Sequence, residues 1–177
     1  MIYSQAYLPL QFYGGIMPMS KLAEKVIKSA IDNGYIILSA ESCTAGMIGA
    51  ALTDISGASA AYHGGFIVYD NMAKNQFINV SQDTLNSHGA VSPECAEAMA
   101  QGTLERYPAA NISIAVTGIA GPNGGNAEKP VGLVYFGCTN KKTGTTLIDK
   151  KIFKGSRDDI RVQTVEHALQ ILFKNMA

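Results

Sequence analysis

The apolar positions of this chain follow two different periods, and the changes from one to the other divide it into elements. Leu22, Ala23, Val26, Ile27, Ala30 and Ile31 recur at the 3.6-residue spacing of a helix face, and Asn33-Gly34 supplies a stop. The run Tyr35-Ile36-Ile37-Leu38-Ser39-Ala40 has the length and composition of a buried strand. A small-residue pattern then predicts a helix from about Thr44 to Ile55, closed by Gly57, whose Ala45, Gly46, Gly49, Ala50 and Ala51 permit close approach of another backbone. Phe66-Ile67-Val68-Tyr69 predicts a second strand, with short helical pieces after it at about 71–78 and 81–87.

Ser92-Pro93-Glu94 combines a capping serine, a proline at the first helical position and an early carboxylate, and predicts a helix to about Tyr107. Ile112 to Thr117 and Val131 to Cys138 read as strands on either side of a glycine-rich loop at 118–130. Thr143-Gly144 turns the chain into a further strand near 145–153, pairing as a hairpin, and a last helix fills about 158–174. Helices and strands interleave early while the end of the sheet is antiparallel. The expected fold is therefore a three-layer α/β/α arrangement with a mixed, mainly parallel sheet and an antiparallel hairpin near the C-terminus.

Residues 1–18 break this periodicity with Pro9, Pro18 and Gly14-Gly15, so they read as an N-terminal extension to one domain at 19–177. A chain of 177 residues suits one domain with a sizeable core. Lys+Arg and Asp+Glu are equal at 14 each, which leaves no electrostatic footprint for nucleic acid or an anionic membrane and favours a small-molecule substrate. Cys43, Cys95 and Cys138 form no C-x-x-C, and His63, His88 and His167 have no ligand spacing, so neither a metal nor a disulfide framework is expected, and no cofactor is implied. With no basic leader and no spanning apolar run, the expected location is the cytoplasm. The small-residue helix and the aromatic residues of the extension suit a homo-oligomer.

Candidate chemistry begins at Glu41-Ser42-Cys43-Thr44-Ala45-Gly46, where a strand gives way to a helix. Ser42 there is presented at a carboxyl strand end, and the first N–H groups of the next helix lack intrahelical partners and can meet developing negative charge. A simple capping role for Ser42 or Thr44 fits the same position. Thr117-Gly118-Ile119-Ala120-Gly121-Pro122-Asn123 leaves another strand end and forms a second wall of a cleft; it is neither a phosphate-binding Walker loop nor a dinucleotide fingerprint. No histidine is an obvious base. Lys74 follows Tyr69 by about one helical turn, and a desolvated lysine can serve, although a solvated surface lysine fits the spacing equally. Cys43 is an alternative nucleophile.

The blocks Ser39 to Gly46, Gly65 to Asn71 with Lys74, His88-Gly89-Ala90-Val91-Ser92, and Thr117 to Pro122 through Lys129-Pro130-Val131-Gly132 together resemble the CinA C-terminal domain family, in order, over about 19–174. Stand-alone members of that family are nicotinamide-nucleotide amidases, which convert nicotinamide mononucleotide to nicotinate mononucleotide and ammonia in pyridine-nucleotide salvage. The resemblance implies Ser42 as nucleophile, Lys74 as its base and Tyr69 assisting. Cys43 and Thr44, or Thr117 and Gly118, would supply oxyanion donors; Gly121 would line the site, Thr117 and Asn123 would contact ribose or carboxamide, and Arg157 of Gly155-Ser156-Arg157-Asp158 would grip the phosphate. Larger members carry an N-terminal domain associated with ADP-ribose pyrophosphate hydrolysis, for which the residues before Ser20 are too few. A non-catalytic nucleotide-binding module and an amidase for another small carboxamide are the rival readings.

Overall fold

The computed structural model describes residues 19–176, so the extension expected at 1–18 lies outside the described residues. Five strands form one sheet: β1 (Ile37–Glu41), β2 (Tyr62–Ile67), β3 (Ile112–Gly118), β4 (Leu133–Asn140) and β5 (Thr145–Ile152), in the spatial order β2-β1-β3-β4-β5. β1 pairs in parallel with both β2 and β3, whereas β3–β4 and β4–β5 are antiparallel. Four strands thus run one way, with β4 reversed. All five residues of β1 are buried, as expected for a central strand covered on both faces.

Helices α1 (Met19–Asp32), α2 (Met47–Thr53) and α6 (Arg157–Asn175) cover one face of the sheet; α3 (Asn71–Ile78), α4 (Gln82–His88) and α5 (Pro93–Arg106) cover the other. On the first face, Val26, Ile48, Leu52, Val165 and Leu169 pack over Ile37, Ile114 and Phe136. On the second, Ile78, Leu85, Cys95 and Met99 meet Ala40, Val68 and Ala115. The expected start of α5 is formed, with the Ser92 hydroxyl accepting from the Cys95 N–H at 3.1 Å and Pro93 at the first helical position.

Three boundaries differ from the sequence expectation. β2 occupies Tyr62–Ile67 rather than 66–69, because Gly64-Gly65 pairs with Leu38-Ser39 inside an edge strand whose register shifts at Ile37/Leu38. α2 begins at Met47 rather than Thr44, since Ala45 (φ 50°) and Gly46 (φ 98°) take the left-handed conformation before the helix can start. β4 begins at Leu133, two residues late, after a neck closed by Ile119 N–H to Leu133 O and Gly132 N–H to Ile119 O, each 2.8 Å.

Candidate active site

Ser42 follows β1 directly, and its N–H donates to Val116 O at 3.2 Å, which extends the β1–β3 pairing by one bond. Its hydroxyl meets Lys74, 32 residues further on, with Nζ 3.2 Å from Oγ. Lys74 stands on α3, whose start is set by Asp70 accepting from the Met72 N–H at 2.7 Å. The lysine is only 1% exposed and Ser42 only 6%. Burial lowers the Lys74 pKa from the ordinary lysine value, with Cys95, Asp70 and Cys43 pulling partly the other way.

The remaining contacts of Lys74 orient it. Nζ donates to Val68 O at 2.9 Å and to Tyr69 O at 3.0 Å. Carbonyl oxygens only accept. A neutral amine has two N–H groups; when both go to these carbonyls, the lone pair is the group left facing Ser42 Oγ, which is the orientation a base for that hydroxyl requires.

Tyr69 contributes to this arrangement through its backbone. Its side chain is 64% exposed, and among the described residues its hydroxyl hydrogen-bonds neither Ser42 nor Lys74. Of the histidines, His63 pairs with the Tyr107 hydroxyl, His88 with Glu94 and His167 with Asp149, all away from Ser42. Among the described residues no group of three or more His, Cys, Asp or Glu side chains is placed to hold a metal ion.

The sequence reading missed Glu41. Its carboxylate is 1% exposed and accepts five hydrogen bonds: from the Ser39 hydroxyl (3.2 Å) and Gly49 N–H (2.9 Å) on Oε1, and from the Thr44 hydroxyl (2.7 Å), Gly46 N–H (2.9 Å) and Ile48 N–H (3.0 Å) on Oε2. This corrects the expectation for the helix after Ser42. The N–H groups that open α2 are filled by the chain's own carboxylate and are not free to meet a substrate charge. Two donors earlier in the turn are different. Among the described residues, neither the Cys43 nor the Thr44 N–H has a hydrogen-bond acceptor in another residue, although Thr44 is fully buried. A buried N–H without a partner is rare in a folded protein, and here it sits two residues after the serine.

The Cys43 thiol is buried, and desolvation first, then the Glu41 charge, push its pKa up to about 11. Cys95 is likewise raised by burial to about 11, Lys74 and Lys129 opposing the shift. Both are neutral thiols at neutral pH and poor nucleophiles.

In the second wall, the Thr117 hydroxyl donates to Ala90 O at 2.6 Å, so it is engaged within the protein, and Asn123 is exposed on the loop. At Gly118 a Cβ would meet Leu133 O at 2.6 Å, which explains a glycine at that strand end. Arg157 lies at the start of α6, exposed, and its Nη1 donates to Gly121 O at 2.8 Å, joining two residues the sequence placed in one site. One helical turn later Arg161, also missed from sequence, donates through Nε to Cys43 O at 3.1 Å and through Nη2 to Thr44 O at 3.2 Å. Its spacing of four from Arg157 was the available signal.

These features define a three-layer α/β protein with a serine paired to a buried lysine at the carboxyl ends of neighbouring strands. The chain belongs to the CinA C-terminal domain family, whose family model matches residues 19–176. It is 45% identical over 137 residues to the nicotinamide-nucleotide amidohydrolase PncC of Enterobacter agglomerans, covering 77% of this chain and 82% of that protein. It is 40% identical over 156 residues to PncC of Escherichia coli K12, covering 88% and 93%. A CinA-like protein of Desulfotalea psychrophila is 42% identical over 151 residues, but the match spans only 36% of that longer chain. Among solved structures, the competence/damage inducible protein CihA of Agrobacterium tumefaciens superposes with a TM-score of 0.85 at 41% identity, covering 91% of this chain and 98% of that one. A CinA superfamily protein of Enterobacter cloacae gives 0.86 at 28% identity, covering 97% and 100%.

Proposed function

We propose that this protein is a nicotinamide-nucleotide amidohydrolase that works through a serine acyl-enzyme in pyridine-nucleotide salvage. The observation that carries this reading is the contact between Ser42 Oγ and the buried Lys74 Nζ, in a chain whose relatives bear that activity in their names. Ser42 Oγ attacks the carboxamide carbon of nicotinamide mononucleotide, and its proton passes to the lone pair of Lys74. The tetrahedral oxyanion lies against the Thr44 and Cys43 N–H groups. On collapse, the Lys74 ammonium protonates the departing nitrogen and ammonia leaves. Water, deprotonated by Lys74, then cleaves the ester, releasing nicotinate mononucleotide and restoring Ser42.

Arg157 is the residue we assign to the phosphate: one nitrogen holds Gly121 O, and the rest of its planar fork can take a phosphate oxygen. Tyr69 assists through its carbonyl, which holds Lys74, and its exposed side chain is given no part in the proton transfer. Among the described residues no helix is long and apolar enough to cross a membrane. A cytoplasmic homo-oligomer belongs to the same reading, and the exposed Ile67, Tyr69, Met72 and Phe77 offer apolar surface for association.

The test is ammonia release from nicotinamide mononucleotide by the wild type beside Ser42→Ala and Lys74→Ala, with folding of each checked by circular dichroism. Release by the wild type and its loss in both folded variants is the expected result. No release by the wild type across pH and salt sinks the reading in favour of a binding module, and activity surviving Ser42→Ala sinks the acyl-serine.

A further inference from the structure

We propose that Arg161 is a positioning residue for the oxyanion site: by gripping the carbonyls of Cys43 and Thr44 it fixes the direction in which the Thr44 N–H points. The inference rests on the serine chemistry proposed above, and its geometry comes from the turn itself. In a trans planar peptide the N–H of one residue points opposite to the carbonyl of the residue before it. The Cys43–Thr44 peptide is trans, and Arg161 Nε holds its carbonyl toward α6 at 3.1 Å. The Thr44 N–H of the same peptide plane is therefore directed away from α6. Helix α6 covers one face of the sheet, and α3, which carries Lys74, covers the other.

The second bond of the fork, Nη2 to Thr44 O at 3.2 Å, fixes the next peptide plane, whose Ala45 N–H returns to Ser42 O at 3.2 Å. Asp158 stands 3.9 Å from the Arg161 guanidinium and is itself exposed, so the directed bonds of the arginine go to these two carbonyls. On the downstream side Glu41 anchors the Thr44 hydroxyl and the Gly46, Ile48 and Gly49 N–H groups. The turn is thus gripped at its carbonyls by one charge and at its later donors by the opposite charge. The two N–H groups between those grips, of Cys43 and Thr44, are the ones left without an acceptor in another residue among those described. A planar fork can hold two adjacent carbonyls at once; an ammonium is a point charge and cannot fix both planes.

The test uses Arg161→Lys and Arg161→Gln in the whole chain, with Glu41→Gln as a second route to the same turn, and reads three quantities. These are kcat and KM for nicotinamide mononucleotide, the rate at which a small fluorophosphonate labels Ser42 (mapped by mass spectrometry), and the thermal midpoint. In folded protein both Arg161 variants are expected to lose about 10- to 100-fold in kcat, with KM held within about twofold and labelling slowed in parallel. Lysine should give no rescue, because the fork and not the charge is used. A rise in KM at constant kcat overturns the proposal in favour of direct substrate contact, and unchanged kcat and labelling with a lowered thermal midpoint overturns it in favour of a purely structural contact. If wild-type Ser42 is labelled but releases no ammonia, the substrate assignment falls while the labelling rates still decide the role of Arg161. A wild type that neither labels nor turns over overturns both.

Discussion

Lys74 lies with Nζ 3.2 Å from Ser42 Oγ while two carbonyls from the strand end before its own helix, Val68 and Tyr69, take its other bonds at 2.9 and 3.0 Å. Lys74 is thus oriented by backbone carbonyls in a buried position. That arrangement has a signature in pH.

Burial holds the Lys74 pKa below that of an ordinary lysine. Between the folded value and the unfolded value of about 10.4, the unfolded chain carries a proton on this residue that the folded chain does not, so stability from this site rises with pH through that window and is lost as pH falls. Chemical denaturation of the wild type and Lys74→Met from pH 7 to 10.5 should show the wild type gaining on the variant as pH increases. A constant difference across the range would mean that Lys74 is not depressed. The same depressed pKa should appear as the acid limb of kcat, with activity rising as pH increases through it.

Arg157 should discriminate between substrates. Losing one charge-assisted bond to a phosphate costs about 1.5–3 kcal/mol, or about 10- to 150-fold in kcat/KM. Arg157→Ala is expected to lose this much on nicotinamide mononucleotide and little on nicotinamide riboside, measured side by side. Equal losses on both would show that the arginine acts through its bond to Gly121 O instead.

Cys43, beside the proposed nucleophile Ser42, should be chemically silent. With its thiol pKa pushed up to about 11 it is protonated at neutral pH. Native protein at pH 7.5 is expected to leave Cys43 unmodified by iodoacetamide, and Cys43→Ala to keep most of the activity. Rapid alkylation accompanied by loss of turnover would reopen the thiol as nucleophile.

Gly102 sets how closely α5 approaches α3. A Cβ there would collide with the Ile78 carbonyl oxygen, which belongs to the last residue of the helix that carries Lys74. Backbone cannot swing aside as a side chain can, so Gly102→Ala is expected to cost about 1–3 kcal/mol, read as a lower midpoint in urea. An unchanged midpoint would mean that the two helices separate without cost.

The parts of this architecture legible in the sequence are those written locally. The amphipathic period of α1, the Ser92-Pro93 start of α5 and the unbroken apolar runs of β1 and β3 each depend on neighbours within a few residues, and each element appears near its expected place. β2 lies earlier than expected because its glycine pair carries no apolar signal of a strand and is held there by pairing with Leu38-Ser39. The start of α2 was displaced because Glu41 reaches forward to Gly46, Ile48 and Gly49 and sets a tight turn first. In the site, Ser42 and Lys74 stood out by residue type and by resemblance. The roles of Glu41 and Arg161 are tertiary: the spacing of Arg161 from Arg157 puts both on one helix face, but that it holds Cys43 and Thr44, 118 and 117 residues earlier, is decided only by the fold. Tyr69 shows the opposite case, a conspicuous side chain whose contact with the site is made by its carbonyl.

The distance in sequence between Arg161 and the turn it grips also has a consequence in time. A chain is synthesised from its N-terminus, so a nascent polypeptide presents β1, Ser42 and Lys74 long before α6 exists. Ser42, the proposed nucleophile, emerges before the arginine that grips the carbonyls of its two following neighbours. On the role proposed for Arg161, arming of Ser42 is coupled to the docking of a late helix, so a chain that stops short of α6 is expected to be a poor hydrolase.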